Sequence, residues 1–403
     1  MHRLTVSTLA VLATVAAFPV AAQNAGSGFN PRITLILDGK YSDYDLDPEE
    51  YEIPGMLLDN EAEMPSEGFA IGESELAIDA NIDDQFRGWA SIGIESEDGE
   101  TEVELEEAYI ATLALPAGLG AKFGRFYSDI GYLNRQHPHS WDFADSPLVY
   151  KAFFAGQLGD DGVQLTWIAP TDLFIELGAE ALRGTSFPSD GEDRDGVGAW
   201  SAFARVGGDV GTGGSWRAGL WHYDGDADDR QTGEDVKTGY TGDSEITGVD
   251  FVYKWAPNGN PAQRNFVFQA EYMYRSESST VVFDPDGAAE ESKYDGDQQG
   301  WYAQAIYQFM PRWRVGMRYD RLSADNDVDN PVAGTSLELL ADDGDNPERY
   351  SIMVGMQNIL DEQGPIDIDN TDGTIGSGNK YTDSTPWGFE GGFYYVRFRA
   401  EFD

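Results

Sequence analysis

The chain contains no cysteine. Disulfides, thiolate metal sites, cysteine nucleophiles and iron–sulfur ligation are excluded together. Basic residues are scarce: 26 Lys and Arg stand against 72 Asp and Glu, for a formal net charge of -46. Such a surface repels phosphate backbones, so no nucleic acid is expected as a partner. Beyond residue 22 no stretch approaches the ~20 apolar residues of a membrane helix, and no amphipathic helical period is convincing. What the chain has in plenty is 47 Gly, 20 Tyr, 21 Phe and 10 Trp, the material of strands and turns rather than of helices.

Residues 1–22 read as a secretory signal: Arg3, an apolar run from Leu4 to Phe18, and Val20-Ala21-Ala22 before Gln23. Residues 23–403 are then expected to be one all-β domain. From Pro31 onward the pattern alternates with period two. Ile33, Leu35 and Leu37 alternate with Arg32, Thr34 and Asp38; Trp301, Tyr307 and Phe309 share one parity while Tyr302, Gln304 and Gln308 share the other. Short turns alternate with long Asp/Gly-rich connections near 42–66, 131–161, 184–196, 225–243, 278–298 and 323–346. Short turns at one end and long loops at the other predict a transmembrane antiparallel β-barrel. A secreted soluble β-rich binding protein is the alternative, because sandwiches alternate too.

Fifteen strands are predicted, near 31–41, 69–82, 86–95, 102–115, 119–129, 162–169, 173–182, 197–207, 214–223, 245–256, 264–275, 299–309, 313–322, 348–357 and 391–402. An even number closes a bacterial barrel, so a further strand is expected within 360–387, giving sixteen, with 14 or 18 as alternatives. The polar parity places Arg32, Asp38, Lys40, Glu73, Glu75, Asp79, Arg314, Arg318, Arg397 and Arg399 as pore-lining residues. Acids gather in the second and fourth strands and bases in the thirteenth and last, which predicts a transverse field across the lumen.

The runs Leu105-Glu106-Glu107-Ala108-Tyr109-Ile110, Pro116-Ala117-Gly118-Leu119 and Gly124-Arg125-Phe126, with 131–143 and 159–165, resemble Gram-negative outer-membrane porins. The likeness is to the phosphate-selective porin O and P superfamily and covers residues 30 to about 355. It implies a channel in the cell outer membrane, surrounded by lipid and lipopolysaccharide, as a homotrimer passing small hydrophilic or ionic solutes. Phosphate selectivity in that family rests on pore-lining Arg and Lys, in which this chain is poor; a mild cation preference from the acidic mouth is expected instead. Relatives of this kind are sometimes labelled zinc-related or TonB-dependent receptors, but the chain is too short for a plug and a 22-strand barrel.

Enzyme activity is not expected, since no Ser-His-Asp spacing or phosphate loop accompanies the many acids. The long connection 131–161 is aromatic and less acidic than the others, which predicts a constriction loop carrying His137, His139, Trp141 and Asp142. In His137-Pro138-His139 the two imidazoles can point to one side, and Asp142 or Asp145 can complete a Zn²⁺ site. The Asp-rich loops invite Ca²⁺, although none has EF-hand spacing.

Overall fold

The computed structural model describes residues 31–356, apart from 44–52, 60–61, 63–66, 98–99, 190–195, 233–236, 286, 288, 330, 332–334 and 342–347. The expected signal peptide, the expected strand at 391–402 with Arg397 and Arg399, and the expected strand within 360–387 lie outside the described residues.

The first hairpin is interrupted. β1 (Arg32–Ile36) pairs with β4 (Ser74–Asn81), and β2 (Gly39–Ser42) pairs with β3 (Gly68–Ile71) in a small separate sheet. The break falls at Asp38, whose backbone N–H donates to Ser74 Oγ. The strands that follow are β5 (Phe86–Glu97), β6 (Glu100–Thr112), β7 (Leu119–Tyr127), β8 (Gly159–Ile168), β9 (Phe174–Leu182), β10 (Ala199–Val210), β11 (Gly214–Thr232), β12 (Thr238–Trp255), β13 (Asn265–Phe283), β14 (Glu290–Met310), β15 (Trp313–Val328) and β16 (Glu348–Met356). Each pairs antiparallel with its sequence neighbours, giving a 14-stranded sheet with β1 and β16 at its described edges. These fourteen correspond in order to the first fourteen strands the periodicity predicts, and the all-β antiparallel class holds.

Two connections read as loops, 225–243 and 278–298, are instead mostly strand among their described residues. The β11–β12 and β13–β14 ladders run on to Thr232↔Thr238 and Phe283↔Glu290. Asp, Ser and Gly have low strand propensity, but paired backbone in a long ladder overrides it.

The wall is inverted relative to a soluble protein. On β14 the outward residues Trp301, Tyr307 and Phe309 are 36–40% exposed, whereas inward Tyr302, Gln304 and Gln308 are buried. On β15, Trp313, Val315 and Met317 face out while Arg318 and Asp320 are almost fully buried. The outward face then changes character, with Asp295 and Asp297 on β14 and Asp325 and Asp327 on β15 exposed beyond the aromatic stretch. From Trp301 to Phe309 the strand rises about 27 Å; with the usual tilt this is close to the ~25 Å apolar band of a membrane barrel.

The sheet is also wrapped. His137 contacts Glu75 on β4, and Asp142, five residues later, contacts Arg314 on β15. Eleven strand spacings separate β4 from β15 in the sheet order, about 53 Å if the sheet were flat. Five residues reach at most about 18 Å. Even with side-chain length added, both contacts require the sheet to curl around the segment between β7 and β8.

Candidate functional site

That segment, residues 128–158, lies inside the curl. It contains a 3₁₀ turn at Pro138–Ser140 and helix α1 (Leu148–Phe154), all seven of whose residues are buried. Phe126, Ile130, Leu133, Phe153 and Phe154 join inward Phe203, Trp221, Met273 and Tyr302 in one apolar cluster. Burial of those rings supplies the driving force, at about 1.5–3 kcal/mol per large side chain. Asn134, fully buried, ties the two ends together: its amide nitrogen donates to Ser128 O and Leu158 O at 2.8 Å, and its oxygen accepts from Leu158 N–H at 2.8 Å.

The inward charges of the wall hold this loop. Glu180 on β9 accepts from Asp129 N–H at 2.8 Å and from the Ser128 hydroxyl. Arg205 on β10 donates to Asp129 O, and Arg217 on β11 to Gly131 O. Glu271 on β13 accepts the backbone N–H groups of Tyr132 and Leu133 at 3.1 and 3.0 Å and the Tyr150 hydroxyl at 3.0 Å. Gly131 has φ of +63°, and a Cβ there would run into Glu271 and the Tyr150 hydroxyl, so the position demands glycine. Arg275 donates to Ala152 O at 2.9 Å. Arg318 and Arg349 both grip Asp145, each at 2.8 Å, and both donate to Ser146 O; Asp320 accepts from Leu148 N–H.

Most of these arginines carry an acid of the wall beside them: Arg205–Glu176, Arg217–Asp250, Arg275–Glu277 and Arg318–Asp320. Of the predicted basic sector, Arg314 and Arg318 on β15 are paired with acids, and Arg397 and Arg399 lie outside the described residues. Of the residues predicted to line a pore, Arg314 and Arg318 bind the loop, Glu75 meets its histidines, and Asp79 is paired with Arg32 and Arg87. Lys40 lies on β2, and Asp38 and Glu73 flank the break in the first hairpin.

The loop's histidines meet the acidic sector. His137 Nδ1 lies 2.9 Å from Glu75 Oε2 and 3.3 Å from Glu106 Oε2, while His137 Nε2 lies 3.0 Å from Glu107 Oε2. His139 Nδ1 lies 3.2 Å from Glu75 Oε2, and the two imidazole rings are stacked with centroids 5.6 Å apart. Burial works against a charged imidazole here, yet the close carboxylates of Glu106, Glu107 and Glu75 outweigh it. The His137 imidazolium is pushed up to about 12.

A β-bulge brings two adjacent acids to the same place. The β5–β6 register pairs Ser91 with Glu107 and Ile92 with Leu105, so Glu106 is the extra residue. A bulge re-aims a side chain that strict alternation would send outward. The grouping of Asp142 and Asp145 with the histidines needs correction. Asp142 pairs with Arg314 at 2.5 Å and Asp145 with Arg318 and Arg349, and the carboxylates around the histidines are Glu75, Glu106 and Glu107. Trp141 is mostly buried and its indole N–H donates to Gln136 O at 2.8 Å. A second inserted segment, with Ile53 and Met56 in the same core, carried no periodic signal; Gly55 O accepts from Gln298 and Asn326 on the wall.

No family model matches the chain. Among curated proteins, an uncharacterized protein of Aquifex aeolicus (strain VF5) is 33% identical over 315 residues, 73% of this chain; the chain spans 65% of that protein's length. Among solved structures, the outer membrane channel DcaP of Acinetobacter baumannii aligns with TM-score 0.47 and 14% identity, covering 96% of this chain and 100% of that one. OmpT, an outer membrane protein of Vibrio cholerae in its trimer form, aligns with TM-score 0.44 and 10% identity over 82% and 84% of the two chains. OprB of Pseudomonas putida aligns with TM-score 0.39 and 11% identity over 75% and 92%.

Proposed function

We propose that the chain is an outer-membrane β-barrel channel for passive diffusion of small hydrophilic solutes, with residues 128–158 as its constriction loop. The inverted wall carries this reading: arginines buried inside, tryptophans, tyrosines and valines exposed outside, across a band of membrane thickness. No aqueous surface favours so continuous an apolar exterior, and only a closed sheet satisfies its backbone in lipid. Seated in outer-membrane lipid and lipopolysaccharide, the barrel is expected to migrate faster on gels unheated than boiled, and to show β-dominated circular dichroism in detergent. A monomer soluble without detergent would end the proposal. A homotrimer follows from the porin resemblance and is checked by light scattering of the detergent-purified protein.

The acids outside the apolar band set the expected selectivity. Asp295, Asp297, Asp325 and Asp327 crowd the long-hairpin end, and the inner wall is largely paired. A mild cation preference is expected at low salt, fading as the screening length shrinks to about 10 Å at 0.1 M. Reversal potentials across planar bilayers measure it. Strong anion selectivity would refute the acidic-mouth account and return the phosphate reading implied by the resemblance.

A further inference from the structure

The inner wall holds the loop with arginines along β10 to β16, but at the acidic sector it offers carboxylates to a loop segment whose polar groups are histidines. Three atoms converge there without closing hydrogen bonds. Glu75 Oε2, Glu106 Oε2 and His137 Nδ1 are all buried, and none has a hydrogen bond of acceptable geometry, although His137 Nδ1 lies 2.9 and 3.3 Å from the two oxygens. Close approach without directional bonding is costly for buried polar atoms. It is natural for donors that share a cation. The ligand atoms of Glu75, His137 and His139 all lie within 4.8 Å of one another, and the separations of 2.9 and 3.2 Å from Glu75 Oε2 to the two imidazoles come close to the edge of about 3.3 Å that a tetrahedral ion with ~2.0 Å bonds requires.

The surroundings are those of a metal ligand. Glu107 faces the opposite nitrogen, Nε2, at 3.0 Å, and is itself fixed by the Tyr127 backbone N–H, which donates to it at 3.1 Å. A carboxylate accepting Nε2–H leaves the Nδ1 lone pair facing Glu75 and Glu106, and such outer partners fix the tautomer of coordinating histidines. Three carboxylates around two neutral imidazoles carry a charge of −3, most of which a dication offsets.

We propose that Glu75 Oε2, His137 Nδ1 and His139 Nδ1, with the Glu106 carboxylate beside them, bind a divalent transition-metal ion of the Zn²⁺ class that staples the loop to the acidic sector of the wall. Two imidazoles select against Ca²⁺ and Mg²⁺, which take oxygen ligands. The ion is structural in this account, and the inference does not depend on whether the barrel conducts.

Chelator-stripped, detergent-folded full-length protein titrated calorimetrically with ZnCl₂ is expected to bind one equivalent, and X-ray absorption to show N/O ligands at about 2.0–2.1 Å. Removing His137 leaves three acids unopposed and can unfold the loop, so the decisive variant is the less buried His139→Ala, expected to weaken binding at least tenfold. Glu107→Gln is expected to lose about 10–100-fold through misorientation of His137. Asp142→Asn, outside the ligand set, is expected to bind as wild type. Absence of Zn²⁺ uptake by heat-modifiable wild-type protein would overturn the proposal and leave a protonated His137 as the group that satisfies the acids. Equal uptake by wild type and His139→Ala, or tighter binding of Ca²⁺ than of Zn²⁺, would overturn it as well.

Discussion

Deleting residues 136–146 is expected to raise single-channel conductance several-fold. The deletion removes the two histidines, Trp141, Asp142 and Asp145, and with them the contacts that draw the loop across from β4 to β15 and β16. It spares Asn134 and the ends of the loop that Glu180 and Glu271 hold, so the barrel and the anchored parts of the loop remain. Conductance follows the narrowest cross-section, which the proposed constriction loop assigns to this segment. Single-channel recordings of the heat-modifiable variant give the answer; conductance equal to wild type would mean that the segment does not bound the permeation path. The Zn²⁺ experiments stand apart from this one, because they read binding.

Replacing Arg318 by Met is expected to cost about 3–5 kcal/mol of loop-docking stability, the usual consequence of stranding buried charge. Arg318 is 1% exposed and holds Asp145 at 2.8 Å and Asp320 at 3.0 Å, while its guanidinium lies 4.8 Å from the centre of the Phe143 ring. Met keeps much of the volume over Phe143 but leaves both carboxylates to Arg349. The observable is accelerated proteolysis within 136–147 together with a lower temperature of gel-mobility change. Adding Asp145→Asn should recover part of the loss, because one stranded charge is removed. If the double variant is no better than the single one, packing rather than charge pairing holds the loop.

The fold was legible because strand periodicity is local. Fourteen segments of alternating residues became fourteen strands in order, and the side predicted to face out, Trp301, Tyr307 and Phe309 among them, is the exposed side. The extended β11–β12 and β13–β14 hairpins were hidden, since Asp226 and Ser278 look like loop residues until a partner strand supplies their hydrogen bonds. The histidine pair and the loop that carries it were visible from composition. Their carboxylate partners were not: a bulge at Glu106 has no period of its own, and Glu75 is distant in sequence from both histidines. Nor could spacing reveal that Asp142 and Asp145 answer to arginines some 170 to 200 positions further on.

Those long separations govern how the molecule can assemble. Asp129 meets Glu180 and Arg205 across 51 and 76 residues, whereas Leu148 meets Asp320 across 172 and Asp145 meets Arg349 across 204. Closing the wider circuits costs more chain entropy and comes later. The first half of the loop can therefore seat on β9 and β10 as soon as those strands pair, and then serve as a mandrel around which the remaining wall winds. β15 and β16 arrive last among the described strands and clamp the far half against it. A chain truncated before β15 is expected to keep residues 128–134 protected from proteases while 141–148 stay open, an order of protection that pulse proteolysis during refolding would record strand by strand.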